Sequence, residues 1–264
     1  MRSRLPSDDE MLHTFRLSSW ALGLGLFAAA VSGAGDASAA KVKGRVANWQ
    51  NLLNPVWSEA RDPKKHGYSF REPSPTVRTD FRRLFPHIPK ELCVALLSTE
   101  AQKPPKTPIL IRVGGGRTTP VTIVVPPGTQ LQFKNTDPFK HRLYGVGIKT
   151  FQPNDTIKGG ARDWTVPAAG SYEIRDELAP SLRFWVIAEP KVAAIAYPSL
   201  KGDFLLTVDS DGPFTLQAYF SGKPAGPAKP VELKGRDVDM SRDPIKVAPD
   251  KKKGKDDDDE KKSE

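Results

Sequence analysis

The sequence predicts an all-β chain built as two sandwich lobes, and three observations carry that expectation. Apolar residues recur in short runs with a period of two, which marks strands with one buried face, and no long window shows the helical period. Proline and glycine, 25 and 21 in number, punctuate those runs and keep them short. A length of 264 residues exceeds what one small core requires and favours two.

Residues 1–40 read as a signal peptide. Trp20 to Val31 is an apolar run preceded by Arg16 and followed by the small-residue stretch Ala37-Ser38-Ala39-Ala40. A membrane-spanning helix needs about twenty continuous apolar residues, and Gly33 to Asp36 interrupt the run too early. The acidic Asp8-Asp9-Glu10 is unusual ahead of such a segment, and Met11 offers a later start. No cysteine follows the small-residue site, which argues against a lipid anchor. The mature chain is therefore expected in the periplasm or secreted, with no transmembrane helix.

Residues 41–106 read as a β and loop region. Lys43 to Ala47 makes a strand, and Trp49 to Lys90, rich in proline, charge and aromatics, reads mostly as ordered loop. Thr79 to Phe85 predicts a short helix, capped by Thr79 or Asp80 and stopped at Pro86. His66 and His87 stand among Lys, Arg and Pro and read as surface residues. The single cysteine, Cys93, lies in the apolar run Leu92-Cys93-Val94-Ala95-Leu96-Leu97 and reads as packed rather than reactive.

Residues 107–190 supply the strands Pro108 to Val113, Pro120 to Val125, Gln130 to Asn135, Gly170 to Asp176 and Leu182 to Ala188, with Pro126-Pro127-Gly128 as one connecting turn. Gly114-Gly115-Gly116-Arg117 reads as a tight turn; no Gly-Lys-Ser/Thr follows it, so a phosphate loop is not indicated. Residues 191–235 add Gly202 to Val208 and Pro213 to Phe220, which Asp209-Ser210-Asp211-Gly212 is expected to join as a hairpin. Phe214, Leu216, Ala218 and Phe220 alternate with more polar neighbours, as a half-buried strand requires. Residues 236–264 read as a disordered charged tail with nine basic and ten acidic residues, so the formal charge of +9 falls on the folded part.

That charge suits an anionic envelope surface or an envelope protein as partner. An exported chain has no nucleic acid to meet. Trp49, Trp57 and Tyr68 are the only aromatic cues for sugar recognition, and aromatics are more often core. No nucleophile motif, zinc pattern or paired acid stands out, so no catalytic residue is assigned and an enzyme is not expected.

Val121 to Glu189 resembles a cupredoxin, and more narrowly the cupredoxin lobe of methylamine-utilisation-type periplasmic proteins. The matching residues are Val124-Val125-Pro126-Pro127-Gly128-Thr129, Phe133-Lys134-Asn135-Thr136-Asp137-Pro138-Phe139-Lys140-His141, Leu143-Tyr144, Phe151 and Gly170-Ser171-Tyr172. The resemblance implies a Greek-key sandwich with His141 at the first copper-ligand position. A type 1 site needs a thiolate, two imidazoles and a weak axial thioether. By the period of two, Tyr172, Ile174 and Asp176 share a face, so Asp176 stands where the family has its cysteine, with Ala179 for the second histidine and Leu182 for the methionine. The ligand loop keeps its length while losing its chemistry. His141 with Asp176 and Glu177 remains the candidate set for weak copper binding; otherwise no cofactor is expected.

A second resemblance is to the carboxypeptidase regulatory-like, or transthyretin-like, sandwich. It rests on Lys43-Gly44-Arg45-Val46 and Asn54-Pro55-Val56 near the start, and on Gly202 to Val208, Pro213 to Ala218 and Gly222-Lys223 near the end. If both ends hold, that sandwich is discontinuous and the cupredoxin-like lobe is inserted in it or precedes its closing half. The two resemblances imply a non-catalytic envelope protein with a copper-free binding or scaffold module. The alternative is a periplasmic copper protein, for electron transfer or copper delivery, that uses His141 and nearby carboxylates.

Overall fold

The period-two pattern of the first strand sets the architecture. In the computed structural model, which describes residues 39–53 and 86–250, strand β1 (Ala40–Ala47) buries Ala40, Val42, Gly44 and Val46 and exposes Lys41, Lys43 and Arg45. Residues 1–38 of the expected signal segment, the Thr79 to Phe85 helix, His66, Trp57, Tyr68 and Asn54-Pro55-Val56 lie outside the described residues, while Ala40, at the expected end of that segment, already belongs to β1. A 3-10 turn over Trp49–Asn51 follows β1. The chain is next described from Pro86, and one helical turn, α1 (Ile88–Glu91), leads into β2 (Leu92–Leu97). His87 is exposed, as its neighbours suggested.

Nine strands follow: β3 (Ile109–Gly114), β4 (Arg117–Thr119), β5 (Thr122–Val125), β6 (Gln130–Asn135), β7 (His141–Gly145), β8 (Asn154–Thr156), β9 (Ala161–Thr165), β10 (Gly170–Asp176) and β11 (Arg183–Ala188). They form two sheets, β4-β3-β6-β9 and β5-β11-β10-β7-β8. Within these two sheets only β3 with β6 and β5 with β11 run parallel, and the remaining pairs are antiparallel. Gly115 and Gly116, both at positive φ, close the β3–β4 turn, and a strand rather than a helix follows. The core is aromatic: the Phe133 ring lies 5.3 Å from Phe184 and 5.7 Å from Phe151, and Phe151 lies 5.2 Å from Trp164.

The chain closes with β12 (Val192–Ala196), β13 (Asp203–Val208), β14 (Gly212–Phe220), β15 (Lys223–Leu233), β16 (Val238–Asp239) and β17 (Ile245–Lys246). Two further sheets result: β12-β2-β14-β15, and β13-β1-β16 with β17 also on β1. The strands β2 and β12, on either side of this nine-strand lobe in sequence, are neighbours in one sheet. The lobe is thus an insertion whose two connections leave side by side, tied where Ser98 N–H donates to Lys191 O at 2.8 Å and Gln102 N–H to Pro190 O at 2.6 Å.

Cores alternate with sheets. Val42, Val46, Phe204 and Leu206 from one sheet meet Leu92, Val94, Leu96, Phe214 and Leu216 from the next. The other face of that second sheet, through Cys93, Ala95, Val192 and Tyr219, packs on Val124 and Ile187 of the inserted lobe. Beyond these lie Ile123, Phe133, Phe184 and Val186 of the lobe's own core. Hydrogen bonds reinforce the join: Thr122 Oγ1 donates to Glu91 O at 2.6 Å, the Tyr197 hydroxyl to Thr122 O at 2.9 Å and Ser171 Oγ to Gly222 O at 2.7 Å.

Two expectations are corrected. Asp209 to Gly212 does not close a hairpin, because β13 pairs with β1 while β14 pairs with β2 and β15. The two strands bury apolar faces into one core from opposite sheets, and the segment carries the chain across. The hairpin lies one strand later, where Ser221 and Gly222 at φ of 50° and 79° make the primed turn that a two-residue loop requires. The second correction concerns residues 236–250, which are not part of a disordered tail. Val238 and Ile245 pair with β1, and Ile245 and Val247 are buried. Apolar residues spaced within a charged background suffice here because an unpaired flank of β1 receives them. Residues 251–264 lie outside the described residues.

Cys93 is fully buried, as its apolar run suggested, and desolvation pushes its thiol up to about 12 despite a hydrogen bond with Tyr197. The thiolate is the nucleophile. Native protein at pH 8 is therefore expected to leave a colorimetric disulfide reagent unreacted over hours, whereas urea-unfolded protein releases one equivalent at once. Rapid native labelling would contradict this burial.

Candidate functional site

The end of the inserted sandwich where β7 begins and β10 ends gathers the sequence-marked residues. Asn135 closes β6 and shapes the loop that follows: its Nδ2 donates to Phe139 O at 2.8 Å and Thr156 O at 2.9 Å, while its Oδ1 accepts from Asp137 N–H at 2.8 Å. That turn lifts Asp137 over the sandwich end and starts β7 at His141. In β10, Ile174 and Asp176 are buried on one face, as the period of two placed them.

His141 is buried between two carboxylates. Its Nδ1 lies 2.8 Å from Asp176 Oδ2 and its Nε2 lies 3.0 Å from Asp137 Oδ2, with relative side-chain exposures of 1% for His141, 0% for Asp176 and 9% for Asp137. Phe139 leans on the imidazole with ring centroids 5.0 Å apart. A carboxylate only accepts. Two such contacts on one imidazole therefore require a proton beyond that of a neutral ring, carried either as an imidazolium or on one of the two carboxyls.

Each carboxylate is also held by backbone. Asp176 Oδ1 accepts from Leu178 N–H at 2.7 Å and Ala179 N–H at 2.9 Å, and its Oδ2 also accepts from Arg142 N–H at 3.1 Å. Asp137 accepts from Gly115 N–H at 2.6 Å and Gly116 N–H at 3.2 Å, the two positive-φ glycines of the β3–β4 turn. Desolvation pushes the Asp137 carboxyl up, but hydrogen bonds from Gly115, His141 and Gly116 outweigh it, and the carboxyl sits below its ordinary range. The hydrogen-bond chain thus links a turn of one sheet, His141, and the 176–179 loop of the other.

Of the candidate metal residues, His141 and Asp176 meet, and Glu177 does not. Its carboxylate turns outward to Arg142 Nη1 at 3.4 Å, and Arg142 Nε donates to Asp155 Oδ1 at 2.6 Å. Asp155, held by Arg142 and by Lys140 at 2.8 Å, is lowered to about 2. The residue that sequence reasoning left out of the site is Asp137. Its spacing of four ahead of His141, in the loop set by Asn135, was the available signal.

The donor set does not fit a type 1 copper ion. Cys93 is packed between the two sandwiches, away from this end; Leu182, at the thioether position, is a buried core residue; and Ala179 offers only its backbone. Both ring nitrogens of His141 are engaged by carboxylates. Among the described residues, no group of three or more His, Cys, Asp or Glu is disposed to hold a metal ion, and no helix is long and apolar enough to cross a membrane.

No family model and no curated protein sequence matches the chain. Solved structures do show similarity. A purple cupredoxin from Nitrosopumilus maritimus is 18% identical, over 31% of this chain and 99% of its own, with a TM-score of 0.29. Amicyanin from Paracoccus versutus is 17% identical, over 36% of this chain and 97% of its own, with a TM-score of 0.29. A copper-containing nitrite reductase from Thermus scotoductus is 18% identical, over 35% of this chain and 25% of its own, again at 0.29. Each of these matches covers about a third of this chain; the second sandwich is unidentified.

Proposed function

We propose that this is a non-catalytic envelope protein, periplasmic or secreted, whose inserted cupredoxin-like sandwich serves as a copper-free binding or scaffold module. A second sandwich of the carboxypeptidase regulatory-like kind carries it. The observation that supports this reading most directly is the occupation of both His141 nitrogens by Asp176 and Asp137. Asp176 stands where the resembled family has its copper thiolate. Hydrogen bonds and a proton do there what metal coordination does in a cupredoxin: they tie the β6–β7 loop, the β10 end and the following loop together.

The alternative, copper held by His141 with Asp176 and Glu177, needs Glu177 to leave Arg142 and His141 to give up a buried carboxylate. Calorimetric titration of the mature protein with Cu²⁺, with His141→Ala alongside, separates the two. The expected result is no stoichiometric binding at micromolar concentration and no intense blue band. Tight binding that vanishes in His141→Ala would transfer the protein to the copper-carrying class.

A further inference from the structure

The outward face of the β4-β3-β6-β9 sheet gathers three cations by register. Ile111, Val113, Leu131 and Phe133 turn into the core, so Arg112 and Lys134 turn outward, and they are paired neighbours on parallel β3 and β6. Arg112 is also paired with Thr119 of β4, which places Arg117 on the same face one pleat repeat away. Adjacent strands lie about 4.8 Å apart, and diagonal neighbours about 7–8 Å apart. Three cations therefore sit in one small field.

Asp163, paired with Gln132 and accepting from its Nε2 at 2.9 Å, is the one carboxylate on that face among the described residues. Lys134 Nζ donates to Gly159 O, and neither the Arg112 nor the Arg117 side chain has a hydrogen-bond or ion-pair partner among the described residues. Several other exposed cations are paired, Arg45 with Asp203, Lys140 and Arg142 with Asp155, and Lys246 with Asp250. Like charges set opposite each other in a sheet are unfavourable, so the pairing of Arg112 with Lys134 is not one that sheet stability favours.

We propose that this face binds an acidic polysaccharide, a chain of carboxylate-bearing sugars laid across the strands. One exposed ion pair is weak, so a single small anion would not be retained. A polymer that meets several cations at once gains through multivalency. The uncharged residues favour a sugar chain over a bare polyanion: Leu110, 53% exposed, offers an apolar surface beside Arg112, and Gln132 and Thr119 offer hydrogen-bonding groups to hydroxyls. Guanidinium forks suit carboxylates. The inference does not depend on whether the His141 end takes copper, and its failure would leave that question untouched.

The test is affinity electrophoresis of the full mature chain in native gels containing polygalacturonate, with neutral dextran gels as reference. Retardation is expected at about 20 mM salt and should fade as salt screens the contacts. The variant Arg112→Ser/Arg117→Ser/Lys134→Gln should bind about tenfold more weakly. A matched variant off this face, Lys191→Ala/Lys201→Ala/Lys223→Ala, should keep full retardation. Parallel melts of the single substitutions Arg112→Ser and Arg117→Ser guard against unfolding, since both side chains are exposed. Absence of retardation at low salt, equal retardation of the triple variant, or equally tight binding of polyphosphate would each overturn the proposal.

Discussion

Replacing Gly226 by alanine is expected to destabilise the protein by at least about 4 kcal/mol, which is the range of exceptional single substitutions. Two penalties coincide there. Gly226 has φ of 74°, and a Cβ would fall 1.8 Å from Lys246 O, 2.9 Å from Lys246 C and 3.1 Å from Val247 Cα. All three are backbone atoms, so no side chain can rotate away. Relief requires β17 to move off β15, which would pull Ile245 and Val247 from the core and break the Val247 N–H to Ala47 O bond of 3.1 Å. Gly235→Ala is the internal control: its φ of 65° is similar, but its nearest contact is Asp211 Oδ2 at 3.6 Å. It should show only the left-handed backbone penalty, about 1–2 kcal/mol. Thermal melts of the two variants measure the difference, and equal midpoints would show that β15 and β17 are not held this closely.

Asp176→Ala is expected to be nearly as damaging, at about 3–5 kcal/mol. The carboxylate accepts from Leu178, Ala179 and Arg142 backbone amides and faces the His141 ring. Removal leaves that end of the imidazole buried without a partner and frees the Leu178 and Ala179 amides at the start of the loop and the Arg142 amide in β7. Asp176→Asn should recover only part of the loss, because one amide oxygen can still cap Leu178 and Ala179 while the amide nitrogen faces Arg142 N–H. Urea unfolding midpoints give the stabilities. A loss below about 1 kcal/mol, the value of one ordinary hydrogen bond, would mean that the site relaxes into water and that the network does not hold the sandwich end.

Strands with one wet face were legible in the sequence. Gln130–Asn135 and Gly170–Asp176 have the bounds that alternation gave them, and Asp176 lies on the predicted face of β10. Strands covered on both sides were not. Leu92–Leu97 lacks alternation because Leu92, Val94 and Leu96 enter one core while Cys93 and Ala95 enter another. Gln217 and Tyr219, which alternation assigned to an open face of β14, are buried for the same reason. Pro224, Pro227 and Pro230 hid β15, although an edge strand accommodates proline on its unpaired side. At the site, a search for copper ligands found His141 and Asp176 but passed over Asp137, because a carboxylate that accepts backbone amides leaves no metal-type spacing.

The middle of the sheet β12-β2-β14-β15, at β2 and the end of β14, is buried on both faces, so the two sandwiches pack directly on each other. One consequence is mechanical. Stacked sheets lie about 10 Å apart, and the three gaps between the outermost sheets hold their outer faces about 30 Å from each other. The Arg112 side chain on one outer face and the Lys43 side chain on the other are thereby held at a set separation by packed layers.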